Sequence, residues 1–166
     1  MTAAGQSRKS SAATICALFA SLALAVCGPA VLRAATTERV VADPHTGLAL
    51  YGFDPVSYFT QGEPALGAAD VEYRFAGVIW RFRNQGNRAA FAADPEVYTP
   101  RYGGYDPLGV ARGVATPGHP QVWARRDNRI YLFHKEETRA AFAADPQAAV
   151  AAAEGRWPQV MQNLVQ

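Results

Sequence analysis

The chain repeats itself. Arg88-Ala89-Ala90-Phe91-Ala92-Ala93-Asp94-Pro95 recurs letter for letter as Arg139-Ala140-Ala141-Phe142-Ala143-Ala144-Asp145-Pro146. At the same offset, Ile79-Trp80-Arg81-Phe82 faces Ile130-Tyr131-Leu132-Phe133. With one residue of slippage, Gly52-Phe53-Asp54-Pro55-Val56 faces Gly104-Tyr105-Asp106-Pro107-Leu108. An alanine-rich octapeptide can recur by compositional bias, but bias does not place an aromatic strand in the same register beside it. A period of this length reads as one supersecondary unit used twice, here over 52–95 and 104–146.

Local chemistry says what the unit is. Residues 71–75 (VEYRF) and 78–82 (VIWRF) are rich in β-branched and aromatic side chains and flank Ala76-Gly77, which is a hairpin pattern. The second copy gives 122–126 (VWARR), a turn at Asp127-Asn128, and 130–133 (IYLF). Trp80 and Phe82 are two apart and share a face, leaving Arg81 and Arg83 to the other. A helix follows each hairpin: Asn84 can cap the first, alanine supplies propensity, and Phe91 supplies the apolar contact. Each helix should stop by its Asp-Pro, because proline disfavours a helical residue before it. The same Asp-Pro can start another helix, with Asp as N-cap and Pro at the first position. Residues 147–154 read as such a helix, and Trp157 to Leu164 as a final amphipathic stretch. The predicted fold is therefore α+β: small antiparallel hairpins with packed helices, two repeated ββα units in one domain spanning 47–166. The segment 98–118, with six glycines or prolines before Pro117 and Gly118, is the least regular part, and such loops are usually functional or mobile.

The first 35 residues differ from the rest. Arg8 and Lys9 precede an almost wholly apolar run, 12–27, and small residues follow through Ala34 and Ala35. Basic start, short apolar core and small-residue exit are the parts of a secretory signal peptide. The run is shorter than the roughly 20 residues a membrane span needs. A retained anchor and lipid attachment at Cys27 stay open as alternatives. Cleavage would leave a periplasmic or secreted protein that touches the membrane only through its leader. The leader holds three of the 16 basic residues and none of the 14 acidic ones, so the remainder carries a net charge of −1. That charge leaves no basic stripe for tracking phosphates, which excludes nucleic acid as an expected partner. Both cysteines, Cys16 and Cys27, lie in the leader, so the processed chain has no thiol for a disulfide, metal site or nucleophile. Residues 36–46 read as a polar lead-in.

From Gly52-Phe53-Asp54-Pro55-Val56-Ser57-Tyr58-Phe59 onward the sequence resembles the YHS-like domain proteins of bacteria. The likeness runs through Ile79–Phe82, Asn87–Phe91, Asp94-Pro95 and Tyr98. It resumes at Tyr102-Gly103-Gly104-Tyr105, Gly109-Val110-Ala111 and Ile130-Tyr131-Leu132, covering roughly 48–158. The resemblance implies a small α+β fold and, by association, a link to heavy-metal or copper handling. It implies no particular enzymatic activity. Many relatives carry cysteines where this chain has Asp106, Ser57 and the segment 83–86, so the soft-metal ligands of the family are absent.

Without thiols, a metal would need histidine and carboxylate. No two of His45, His119 and His134 are three or four residues apart; Asp106 and His134 are the weak metal candidates, and no cofactor follows. Asp54 and Asp106 recur at matched turns. In one cleft they could hold a hard cation or form an acid–base pair of a small periplasmic enzyme; otherwise each caps its own turn. Tyr51, Tyr58, Tyr98, Tyr102 and Tyr105 gather around the same turns, and tyrosine suits a small-ligand pocket or protein contact. No Ser-His-Asp arrangement, phosphate loop, zinc-protease or dinucleotide motif occurs. The expected function is a non-catalytic binding or accessory module for a small ligand or a periplasmic protein partner. Its site is a concavity formed by Asp54, Tyr58, Tyr102, Tyr105 and Asp106. A purely structural partner-binding domain is the remaining alternative.

Overall fold

Both hairpin turns need left-handed backbone, and both have it. Ala76 and Gly77 sit at φ of 51° and 83°, Asp127 and Asn128 at 49° and 56°, the two-residue geometry whose twist matches paired strands. The structure, a computed structural model, describes residues 39–164. The signal-peptide reading of 1–35, both cysteines and residues 36–38 lie outside the described residues.

The described residues form an α+β domain with two antiparallel two-stranded sheets and six α-helices. In chain order these are α1 (Ser57–Thr60), β1 (Ala68–Phe75), β2 (Val78–Phe82), α2 (Gln85–Ala93), α3 (Pro95–Tyr98) and α4 (Pro107–Ala111), then β3 (His119–Arg126), β4 (Arg129–Phe133), α5 (Glu136–Ala144) and α6 (Pro146–Asn163). Single 3-10 turns, Leu50–Gly52 and Arg101–Gly104, precede α1 and α4. The strands start earlier than β-branched content predicts because each carries a bulge. The register slips between Ala68 and Glu72 in one hairpin and between His119 and Trp123 in the other. Gly67 and Gly118 lie just before the strands, where a Cβ would fall 2.5 Å from the Arg81 backbone or 2.6 Å from the Gly104 carbonyl.

Helix ends follow the sequence signals, with two exceptions. The Asn84 side chain accepts from Asn87 N at 2.8 Å, capping α2. At the matched position α5 has Lys135, and Thr138 answers instead: its Oγ1 accepts from Lys135 N at 3.4 Å while its hydroxyl donates to the Lys135 carbonyl at 2.8 Å. Asp145 caps α6 through Ala148 N at 3.0 Å, whereas the Asp94 side chain makes no capping bond to α3. The two expected C-terminal helices are one: α6 runs through Gly155 and Pro158 without a break. The segment 98–118 is more regular than its composition predicts. It holds α3's end, the Arg101–Gly104 turn and α4, and Gly103, Gly109 and Gly118 serve close approaches rather than freedom.

Two hydrophobic cores result, and β4 divides them. Ile130 and Leu132 point into the first with Tyr58, Trp80, Phe82 and Phe91. Tyr131 and Phe133 point into the second with Tyr102, Tyr105, Val110 and Phe142. Strand alternation thus buries both faces of β4. Each core centres on the phenylalanine of its helix. Phe91 meets Trp80 and Phe82 with ring centroids 4.8 and 5.2 Å apart and interplanar angles of 37° and 53°. Phe142 meets Tyr131 and Phe133 at 5.1 and 5.1 Å, with 37° and 57°.

The packed part begins before Gly47. Val40 and Val41 are buried, one in each core. Val41 N donates to the Gly103 carbonyl at 2.8 Å, and the Val41 carbonyl accepts from Leu50 N at 2.9 Å. Residues 39–46 are polar in composition, but the two adjacent valines send their side chains into different cores and fill both at once.

Candidate functional site

The five residues expected to form a concavity are all buried. Asp54 is 0% exposed and Asp106 1%. Asp54 Oδ1 accepts from Val56 N at 2.8 Å; Oδ2 accepts from Arg83 N at 2.9 Å and from Asn87 Nδ2 at 2.6 Å. Asp106 Oδ1 accepts from Leu108 N at 2.8 Å and Gly109 N at 3.4 Å; Oδ2 accepts from His134 N at 2.9 Å. Each carboxylate caps its own turn and ties it to the end of its own hairpin. The two share no partner. An acid–base pair or a cation site requires open carboxylates, and these are spent on protein donors.

His134 reaches Asp106 through its main chain, not its ring. The ring is exposed, with Nδ1 3.1 Å from the Pro117 carbonyl. Asp106 and His134 therefore do not converge as ligands. Among the described residues no group of three or more His, Cys, Asp or Glu lies together, so they offer no fit to the metal that the family resemblance implies. No helix among them is long and apolar enough to cross a membrane.

The tyrosines divide between the cores. Tyr58 is a core residue whose hydroxyl donates to the Pro120 carbonyl at 2.8 Å, with Trp123 edge-on at 5.2 Å. Burial first, and the charge of Asp54 second, push its pKa well above the usual phenol value. Tyr102 lies under Trp157, ring centroids 5.6 Å apart. Burial pushes its pKa up to about 12, against a smaller lowering by the neighbouring Arg101. Both are neutral donors at physiological pH. Tyr105 faces Trp157 at 6.3 Å.

Near these residues lies a mainly apolar cavity of about 480 Å³ lined by Val40, Val41, Tyr51, Val78, Tyr105 and Pro117 among others. Tyr105 is the one of the five candidates that reaches it. Its polar rim residue, Asp43, is occupied: Oδ1 accepts from His45 N at 2.7 Å and Thr46 N at 3.0 Å, which holds its pKa below the usual carboxylate value. Tyr51 is the unusual lining residue. It adopts φ 55°, ψ 27°, next to Leu50 at φ 50°. A bulky residue there is strained by about 1–2 kcal/mol. The matched residue of the second copy is Gly103, at φ 62° and ψ 16°. A Cβ on Gly103 would meet the Arg39 carbonyl oxygen at 1.9 Å. The incoming chain thus fills the space above Gly103, whereas Tyr51, 39% exposed, stands in the cavity.

Sequence reasoning gathered Tyr51 with the other tyrosines but did not set it apart. The signal was the tyrosine facing a glycine when the chain is aligned with itself. Val40, Val41 and Val78 gave no signal, because their place in the cavity depends on where 39–44 runs. No protein-family model, no curated protein and no solved structure matches this chain.

Proposed function

We propose that this chain is an exported, non-catalytic binding domain of YHS-like type, made of two copies of one hairpin-plus-helix unit. Its ligand is a small, uncharged, largely apolar or aromatic molecule held beside Tyr51. The leader-like residues 1–35 support export to the periplasm or beyond. The matched bulges, turns and phenylalanine-centred cores support duplication. The observation that carries the binding reading is Tyr51. A strained, half-exposed tyrosine is retained in an apolar cavity at a position where the sister copy uses glycine, and strain persists mainly where function needs it. The cavity's volume is within the range of small-molecule sites.

The link to metal handling rests on the resemblance alone, and the described donors do not favour it. One thermal-shift experiment addresses both readings, since a ligand bound only by the native state raises the melting midpoint. Purified protein is heated with indole or p-cresol, and separately with Cu(II), Cu(I), Zn(II) or Ca(II). The binding reading expects the aromatic probes to raise the midpoint and Tyr51→Ala to remove that rise. A rise with metals and none with the aromatic probes reverses the assignment.

A further inference from the structure

A second cavity, of about 330 Å³, shares no lining residue with the first. Its walls include Phe75 from the end of β1, Tyr102, and Trp157 from α6; its charged groups are Glu96, Arg101, Arg129 and Glu154. These charges are not equivalent. Arg101 forms an ion pair with Glu154, and its guanidinium lies over the Tyr102 ring, 5.5 Å from the centroid. The Tyr102 hydroxyl also approaches Glu154 Oε1, at 3.4 Å. That pair neutralises itself.

Arg129 differs. Its Nη1 donates to the main-chain carbonyl of Glu96, and no ion pair among the described residues includes it. Guanidinium carries five donors in a planar fork, so most of Arg129's donors and its whole charge stay unmatched beside aromatic walls. Glu96 brings a negative charge to the same rim, but it is exposed whereas Arg129 is half-buried. Solvent and salt screen the exposed charge more strongly. Inside the cavity the uncompensated charge is positive.

We infer that this cavity is a binding site for a small organic carboxylate with a flat aromatic body, its carboxylate on the free edge of the Arg129 guanidinium and its ring between Trp157 and Phe75. Arginine pairs with carboxylate in bidentate fashion and stacks well against aromatic rings. The Tyr102 ring lines the floor of the site, its hydroxyl already engaged with the Val150 carbonyl and Glu154 Oε1, each at 3.4 Å.

The test uses purified protein and a matched pair of probes, 2-naphthoate and its uncharged amide, followed by the indole N–H signal of Trp157 in two-dimensional NMR. Naphthoate is expected to move that signal in a saturable way and to bind about tenfold more tightly than the amide, the effect of one charge-assisted contact. Arg129→Gln should remove that preference, and Glu96→Gln should tighten naphthoate severalfold by removing the opposing charge. Equal binding of acid and amide to the unaltered protein overturns the assignment without recourse to any variant. So does an Arg129→Gln protein that keeps the preference, or a naphthoate response confined to Tyr51 and Val78. Failure here leaves the Tyr51 cavity untouched, because its probes are uncharged and its reporters lie elsewhere.

Discussion

Replacing Asp54 with alanine should unfold much of the domain's margin without touching any ligand. The carboxylate is fully buried and accepts three hydrogen bonds at 2.6–2.9 Å from Val56 N, Arg83 N and Asn87 Nδ2. Truncation strands all three donors. A buried donor left without a partner costs about 1–3 kcal/mol, at the upper end when the lost acceptor was charged. Asn87 can turn toward the vacated space and a water can enter, so the sum falls below three full penalties, at about 4 kcal/mol. Against the roughly 5–15 kcal/mol that stabilises a domain, that is a large fraction. Urea unfolding followed by tryptophan fluorescence measures it. With a slope of about 1.5 kcal/mol/M, the midpoint should fall by roughly 2.5 M at unchanged slope. Asp106→Ala should cost somewhat less, about 3 kcal/mol, since one of its three bonds is long at 3.4 Å. A change below about 1 kcal/mol for Asp54→Ala would refute the reasoning. It would mean that the carboxylate is not a structural tie and is free for chemistry.

Three further outcomes follow from the same geometry. A chain starting at Gly47 loses two buried valines and the hydrogen bonds of Val41, together about 4–5 kcal/mol. It should melt far lower than one starting at residue 36, as circular dichroism would register; equal melting would contradict the threading of Val40 and Val41. Gly103→Ala forces a Cβ toward the Arg39 carbonyl at a left-handed φ of 62° and should cost at least about 2 kcal/mol, read by the same urea titration. Stability should also fall in alkali. Tyr58 and Tyr102 have folded-state pKa values raised above the unfolded phenol value near 10, about 12 for Tyr102. The folded state therefore holds its phenol protons more tightly, and the stabilisation present below pH 10 is lost as pH rises toward 12. Tyr102→Phe should flatten that decline in the melting midpoint between pH 10 and 12, and an unchanged slope would count against it.

The parts of this fold legible in sequence are those whose cause is local. The hairpin turns, the α2 cap at Asn84, the shared face of Trp80 and Phe82, and the caps made by Asp54 and Asp106 depend on residues within a few positions. What escaped was set by distant partners. Val40-Val41 reads as a short apolar step in a polar segment until the Gly103 carbonyl is seen beside it. The glycines of 98–118 read as looseness because composition does not distinguish freedom from close approach. The continuity of α6 through Pro158 was hidden because a proline and a glycine usually end a helix, and here packing of α6 on the second core overrides that preference. The candidate site reads differently in the structure for a related reason. The matched aspartates, Asp54 and Asp106, mark where the copies agree, and here both carboxylates serve the scaffold. Tyr51 against Gly103, and Arg129 on the edge of β4, lie where the copies diverge.

β4 gives alternate side chains to two cores, so neither half owns a complete wall. Severing the chain near Thr99 leaves one fragment missing a side of its interior and another with an apolar sheet face bare to water. Such halves have little reason to hold shape in isolation and every reason to recombine when mixed. The parent protein, by the same token, should lose its structure in a single calorimetric step, with the slowest-exchanging amides along that one strand.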